Sequence, residues 1–409
     1  MHHQNLIVTV LAAALTVAGC MPFGMGRDLG PAYEPGTLNR ITVQVVYPDG
    51  MAIHAGAKIF IMEISGESSY ALEADAQGRA STLLVHGIYR ITARESSDGY
   101  VFNATRNNVI ISGEDVSLTI ELKKSKPGAV VIKEIYNGGC PKLPKEGTYQ
   151  SDQYILLHNN SADTYCLDGL CMGTLSPYNS YGSNPWLQDG DLPAFLPIIQ
   201  AVLMIPGDGD DFPLEPGADA LVCLRGAIDH TQEFPMSVNL NRSDAFVCYD
   251  PVLFPNVSYH PAPGSLVDPA RYLEIVIKTG QANAYTLSVS SPAFVLFRPP
   301  QDTDIHDWVK QAEHLPQVPG GTEQVVAIPP EWVVDGVEVF YGGSSGNKKR
   351  LPETVDAGSV TLSENFKGHS LIRKEDTETS QAVGYTVFMD SNNSSEDFYE
   401  RQTQTLHED

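Results

Sequence analysis

Three stretches of the chain hold side chains of the types used in catalysis or ligand capture. Asp229-His230 stands in a polar stretch behind the apolar run 220–224, and Gly342-Gly343-Ser344-Ser345-Gly346 carries the letters G-x-S-x-G. A hydrolase of this kind needs a nucleophile held against a histidine and a third group that orients the ring. A nucleophile elbow also needs a helix directly behind the serine. Here Asn347-Lys348-Lys349-Arg350-Leu351-Pro352 follows, with no apolar helical face. The Gly/Ser run therefore reads as a flexible turn and Asp229-His230 as a capped turn. An Asp/His-dependent or metal-dependent hydrolase is the alternative these residues leave open. No H-E-x-x-H zinc motif occurs in the sequence.

Two turns are rich in oxygen ligands. Asp208-Gly209-Asp210-Asp211 lacks the Gly and the bidentate Glu that a Ca²⁺ loop places at its sixth and twelfth positions. Asp390, Asn392, Asn393, Glu396 and Asp397 form the second turn and are the candidate metal ligands, for Ca²⁺. The competing reading is that these side chains bond local backbone. The aromatic residues Tyr178, Tyr181 and Trp186 lie in the loop SPYNSYGSNPWLQDG. Such rings can stack on a sugar face or fill a partner's pocket, or they can pack down and anchor the loop. They are the candidate binding loop, because sandwich folds carry function on their end loops.

Residues 6–19 form an apolar run that ends at Cys20. It is too short to span about 30 Å of hydrocarbon as a helix and has the form of a secretory signal. Val17-Ala18-Gly19-Cys20 resembles the bacterial lipobox, although no Lys or Arg precedes the apolar run. The resemblance implies removal of residues 1–19, acylation of Cys20 and a lipid anchor in the membrane. Met21 follows the cysteine instead of Asp, which favours the outer membrane; the leaflet stays open. Residues 20–38, rich in Gly and Pro, read as a flexible tether. No later stretch is apolar for long enough to predict a transmembrane helix. Cys140, Cys166, Cys171, Cys223 and Cys248 remain, an odd number that leaves at least one thiol unpaired. They read as buried small hydrophobes or as one disulfide plus free thiols.

The elements that must hold these residues are strands. The 409 residues suffice for two to four domains, and Gly 35 with Pro 28 predicts many turns and few long helices. A net charge of −24 excludes a nucleic-acid binder and a basic lipid-docking patch. Over 39–124, short β-type runs (41–46, 57–62, 80–85, 89–93, 109–111, 116–122) alternate with turn signals such as Pro48-Asp49-Gly50 and Asp75-Ala76-Gln77-Gly78. This order of signals resembles the carboxypeptidase-regulatory, prealbumin-like sandwich, a module that carries no catalysis in that family.

Over 128–409, the run Val130–Gly139 is followed by Asp152-Gln153-Tyr154-Ile155-Leu156-Leu157-His158-Asn159-Asn160-Ser161 and by Tyr165-Cys166-Leu167-Asp168-Gly169. Together with Leu214-Glu215-Pro216-Gly217 before 220–224, Ser370-Leu371-Ile372-Arg373, and Asn393-Ser394-Ser395-Glu396-Asp397-Phe398, these runs resemble a lamin-tail domain, an immunoglobulin-like sandwich, here with insertions. Lys133 stands where that family has Asn, and Leu156 where it has an acidic residue. A helix is predicted over 304–313 behind the N-cap candidate Asp304. A Pro/Gly-rich loop or linker is predicted over about 315–330, dividing a body at 128–300 from a returning piece at 331–400.

The whole resembles uncharacterised Bacteroidetes outer-membrane lipoproteins with a prealbumin-like first sandwich and a large lamin-tail-like second one. The expected fold is mostly β, two β-sandwich domains with a short helix in an insertion. The expected function is a non-catalytic envelope lipoprotein that binds a ligand or serves an outer-membrane transport system. The resemblance suggests a TonB-dependent outer-membrane receptor as partner. A structural spacer is the remaining alternative.

Overall fold

The computed structural model describes residues 38–48, 50–64, 68–342 and 346–408. Cys20, the segments 1–19 and 20–37, and Ser344 lie outside the described residues.

The fold is mostly β and built from sandwiches. The strand Leu38–Val46 alternates exposed and buried positions along its length, as a half-buried strand must when successive side chains face opposite ways. It pairs antiparallel with Arg79–Val85 and parallel with Val116–Glu121. Facing this three-stranded sheet is a five-stranded one in the order Ser69–Glu73, Lys58–Glu63, Gly87–Ser97, Tyr100–Ile111, Lys123–Ser125. Ile41, Val43 and Val45 from one sheet meet Ile59, Ile61, Ile91 and Phe102 from the other in a dry core. Asp75 closes its turn by accepting from the backbone of Gln77 and Arg79, each at 2.9 Å.

The second body stacks a six-stranded sheet on a seven-stranded one. The first runs Phe246–Val247, Asp219–Cys223, Tyr154–Asn159, Val130–Tyr136, Ser370–Arg373, Phe398–Arg401. The second runs Glu274–Lys278, Leu196–Met204, Cys171–Leu175, Ala293–Phe297, Val333–Tyr341, Val360–Leu362, with Val326–Ile328 also on Leu196–Met204. Between them lie Ile132, Ile135, Ile155, Leu157, Val222 and Leu371 against Met172, Leu203, Phe294, Leu296, Val337 and Val339. Each such side chain contributes about 1.5–3 kcal/mol on burial.

Both outer faces of this sandwich are covered as well. Tyr136, Tyr154, Leu156, Leu221 and Cys223 on one outer face lie under Val238, Leu240 and Leu406. Leu175, Ile198, Val202, Val295 and Phe297 on the other lie under Ile305, Val309 and Trp332. The strands Tyr154–Asn159, Cys171–Leu175 and Ala293–Phe297 are therefore buried at every position. Leu156, placed where an acidic residue was expected, points into the covered outer face.

Two expectations need correction here. The helix forms only over Ile305–Trp308, with Asp304 accepting from His306 N at 2.7 Å. Beyond Trp308 the chain turns back through the 3₁₀ turn Ala312–His314, and the His314 ring stacks on Trp308 with 3.3 Å between ring centres. The Pro/Gly-rich run is no divider: Val326–Ile328 is a buried strand, Leu196 pairs with Ile328, and Val333–Tyr341 pairs with Ala293–Phe297 in one sheet. A three-residue strand among prolines has too little periodicity to be seen in sequence.

Candidate functional site

The strands Cys171–Leu175 and Asp219–Cys223 end, and Tyr154–Asn159 begins, at the same end of the second sandwich. The loops leaving that end enclose a cleft of about 400 Å³ lined by Tyr178, Tyr181, Tyr259, Arg225, Asn179 and Asn283, among others. A second hollow of about 260 Å³, walled by Gln200, Gln281 and Gln324, meets it at Tyr178 and Ala282. Tyr178 and Ala282 thus line both hollows, which lie side by side.

The loop that presents the tyrosines is held from several sides. Ser180 N donates to Ser291 Oγ at 3.0 Å, and Asn184 Nδ2 donates to Lys349 O at 3.0 Å. Arg350 Nη1 donates to Pro177 O at 3.0 Å while its Nε and Nη2 grip Glu338 in a fully buried pair. Tyr178 OH shares a hydrogen bond of 2.8 Å with Thr286 Oγ1. Gln200 sits at φ +66° in its strand, and its amide clamps Thr286 through N at 3.1 Å and O at 2.8 Å. A non-glycine residue in that region is strained and persists because its surroundings hold it.

The three predicted loop aromatics separate. Tyr181 is 46% exposed at the mouth, Tyr178 is half-buried in the wall, and Trp186 is 6% exposed against Phe195. Trp186 anchors the loop from behind and does not face a ligand, which corrects its place in the candidate set. Sequence reasoning missed Arg225, Tyr259 and Gln200, because their segments are distant in sequence and meet only where strand ends converge.

Arg225 is the charged member of the cleft wall. It is 3% exposed, its Nη1 donates to Gln150 O, and its Nε has no partner. The guanidinium carbon lies 4.3 Å from the Tyr259 ring centre. Among the described residues no carboxylate stands at salt-bridge distance from it, and burial pulls its pKa down to about 10.

The other candidates resolve into structural roles. Asp229 accepts from Thr231 N and caps its own turn. His230 is buried, with Nδ1 2.7 Å from Tyr149 OH and Nε2 2.5 Å from Gly226 O. A carbonyl only accepts, so Nε2 carries the proton and Nδ1 accepts from the tyrosine. Both ring nitrogens are spent, and burial lowers the His230 pKa. Asp208 and Asp211 belong to a loop whose amides at Gly209, Asp211 and Phe212 donate to Asp168.

In the turn at 390–397, the candidate Ca²⁺ ligands have partners within the protein. Arg373 Nη1 reaches Asp390 at 3.2 Å and Asp397 at 3.6 Å, so a guanidinium occupies the place of a cation. Asn393 caps the turn Ser394–Asp397, and Asn392 Nδ2 donates to Ser125 Oγ at 3.0 Å. Asn103 Nδ2 donates to Ser391 O at 3.0 Å. The turn is where the first sandwich docks on the second. Among the described residues no group of three or more His, Cys, Asp or Glu side chains is placed to hold a metal. The five described cysteines are unpaired.

The fold and cleft define a two-module β-sandwich protein. A family model described as "Protein of unknown function (DUF4876)" matches residues 215–405. The crystal structure of a DUF4876 family protein from Bacteroides thetaiotaomicron VPI-5482 shares 24% identity over 88% of this chain and 94% of that one, with a TM-score of 0.58. This likeness shows the fold. A DUF3823 family protein from Parabacteroides merdae ATCC 43184 matches at 12% identity over 45% of this chain and 78% of that one, with a TM-score of 0.17. No curated protein matches the chain.

Proposed function

We propose that the chain is a non-catalytic lipoprotein of the outer membrane, tethered through Cys20, whose second sandwich binds a ligand at its open end. On this reading residues 1–19 are a signal peptide, the first module is a prealbumin-like spacer or docking piece, and the second is lamin-tail-like. A TonB-dependent receptor is the partner that the sequence resemblance suggests. The observation that carries the reading is the cleft itself: rigidly held loops surround an open hollow with tyrosine rings and amides, where ligand sites on such folds belong. His230, the best catalytic candidate, has neither ring nitrogen free to act as a base.

The test uses the full chain in its native envelope. An alkyne fatty acid should label wild type and spare Cys20→Ala. Benzoylphenylalanine in place of Tyr181 should crosslink an envelope component that the same probe in place of Ile110, exposed on the first sandwich, does not capture. Equal labelling of both forms removes the anchor. Identical crosslinking from the two positions, or none from either, removes the cleft and favours a spacer.

A further inference from the structure

Arg225 combines deep burial with an incomplete set of partners. A buried cation without a counter-charge is costly, because its desolvation is repaid only by an opposite charge and by filled hydrogen bonds. Its one recorded acceptor is the neutral carbonyl of Gln150, and its Nε is left over. Arg225 nonetheless lines the open cleft. The stack on Tyr259 holds its plane in place, so the fork is oriented before a ligand arrives.

The remaining wall narrows the ligand further. Tyr178, Tyr181 and Tyr259 offer ring faces, and Gln150, Asn179 and Asn283 offer amides that both donate and accept. The aliphatic members of the wall are the small Ala282, Ala284 and Val289, too little to hold a large apolar peptide side chain. Rings for C–H faces, amides for hydroxyls and one fork for one anion match a sugar that bears a carboxylate. The neighbouring hollow beyond Tyr178 adds the amides of Gln200, Gln281 and Gln324 for a second ring, and its carboxylate Glu323 calls for a hydroxyl and not a second anion there.

We propose that the cleft binds an acidic oligosaccharide, with the carboxylate of one uronate-type sugar on the Arg225 guanidinium and sugar faces on Tyr178, Tyr181 and Tyr259. The proposal rests on the cleft being the ligand site and adds the chemical class of the ligand. A planar fork meeting a carboxylate forms two charge-assisted hydrogen bonds, stronger than neutral ones.

Isothermal titration of the whole protein decides it. The probes are short oligosaccharides from polygalacturonate, hyaluronan and alginate, the same oligosaccharides after chemical reduction of their carboxyls, and hexaglutamate. At least one acidic oligosaccharide should bind about tenfold or more tighter than its reduced form, a gap of about 1.4 kcal/mol, and hexaglutamate should not compete. Arg225→Met should level acidic and reduced forms. Because that substitution reaches a buried site, Arg225→Lys, which keeps the charge and loses the fork, is the second variant and should keep part of the preference. Tyr181→Ala, at an exposed position, should weaken both forms with unchanged melting. Equal binding of acidic and reduced forms that Tyr181→Ala still weakens overturns the carboxylate assignment and leaves the cleft reading standing. Binding of hexaglutamate in place of the sugars, or of no sugar in the panel, overturns the proposal. Sugar binding that no variant changes overturns the proposal and the cleft reading together.

Discussion

Arg373 Nη2 donates to Asp335 Oδ2 at 2.6 Å across the interior of the second sandwich. Arg373 closes the strand Ser370–Arg373 of the six-stranded sheet, and Asp335 lies on Val333–Tyr341 of the seven-stranded one. The same carboxylate oxygen accepts from Ile132 N at 2.6 Å, and Arg373 Nε donates to Ile132 O at 2.9 Å. Two sheets and the turn carrying Asp390 and Asp397 are thus pinned at one guanidinium. Removing one partner of a buried pair leaves the other charge uncompensated, so Arg373→Met should cost about 3–5 kcal/mol. Urea unfolding followed by circular dichroism measures it, and a cost near zero would show that the pin carries no stability.

The same geometry bears on calcium. Asp390 and Asp397 already face a cation of the protein's own. A ligand that binds only the folded state raises its melting temperature. Millimolar CaCl₂ should therefore leave the melting temperature where EDTA leaves it, in differential scanning fluorimetry. A calcium-dependent rise that Asp397→Asn abolishes would restore the metal reading of this turn.

Trp186 and Tyr181 should part company on substitution. Trp186 fills the space behind the loop against Phe195, so Trp186→Ala should cost about 3–5 kcal/mol, as large-to-small changes at buried aromatic sites do. Tyr181 is exposed at the mouth, and Tyr181→Ala should stay within about 0.5 kcal/mol. Thermal melting of the two variants side by side checks both figures.

Buried histidines contribute to the acid side of the stability profile, opposed by Asp335 and Asp397, whose pKa burial raises to about 7 and about 6. Burial lowers the pKa of His230, and also of His260, whose ring nitrogens lie at 3.1 Å from Cys248 O and 3.0 Å from Tyr285 O. A depressed histidine pKa means that the unfolded chain takes up the proton first. Their contribution is full above the ordinary value of 6.5, is lost as pH falls from there to the folded-state values, and is flat below them. The double variant His230→Gln, His260→Gln should show a shallower loss of stability than wild type between pH 6.5 and about 5. Parallel curves for the two proteins would remove these histidines as the cause.

Local pattern carried much of the architecture. The alternation in Leu38–Val46, the turn at Asp75 to Gly78 and the apolar strands at 130–136, 154–159 and 220–223 make a mostly β, sandwich-built chain readable before any coordinates. These features depend on neighbours within a few residues, where side-chain alternation and turn chemistry act. Tyr178 and Tyr181 were also visible, as aromatics on a loop poor in other apolar residues.

Tertiary structure alone decided what those residues face. Trp186 turned inward because Phe195, further along the chain, offered it a partner. The oxygen-rich turn received Arg373 in place of an ion, and His230 lost both nitrogens to Tyr149 and Gly226. Arg225 became a cleft residue because the ends of separate strands converge beside it. Trp186–Phe195 and His230–Gly226 close within a loop, while the contacts His230–Tyr149 and Arg225–Gln150 join segments far apart in sequence. Such contacts are set by how two sheets stack and where their strands stop, quantities to which no short window of residue types is sensitive.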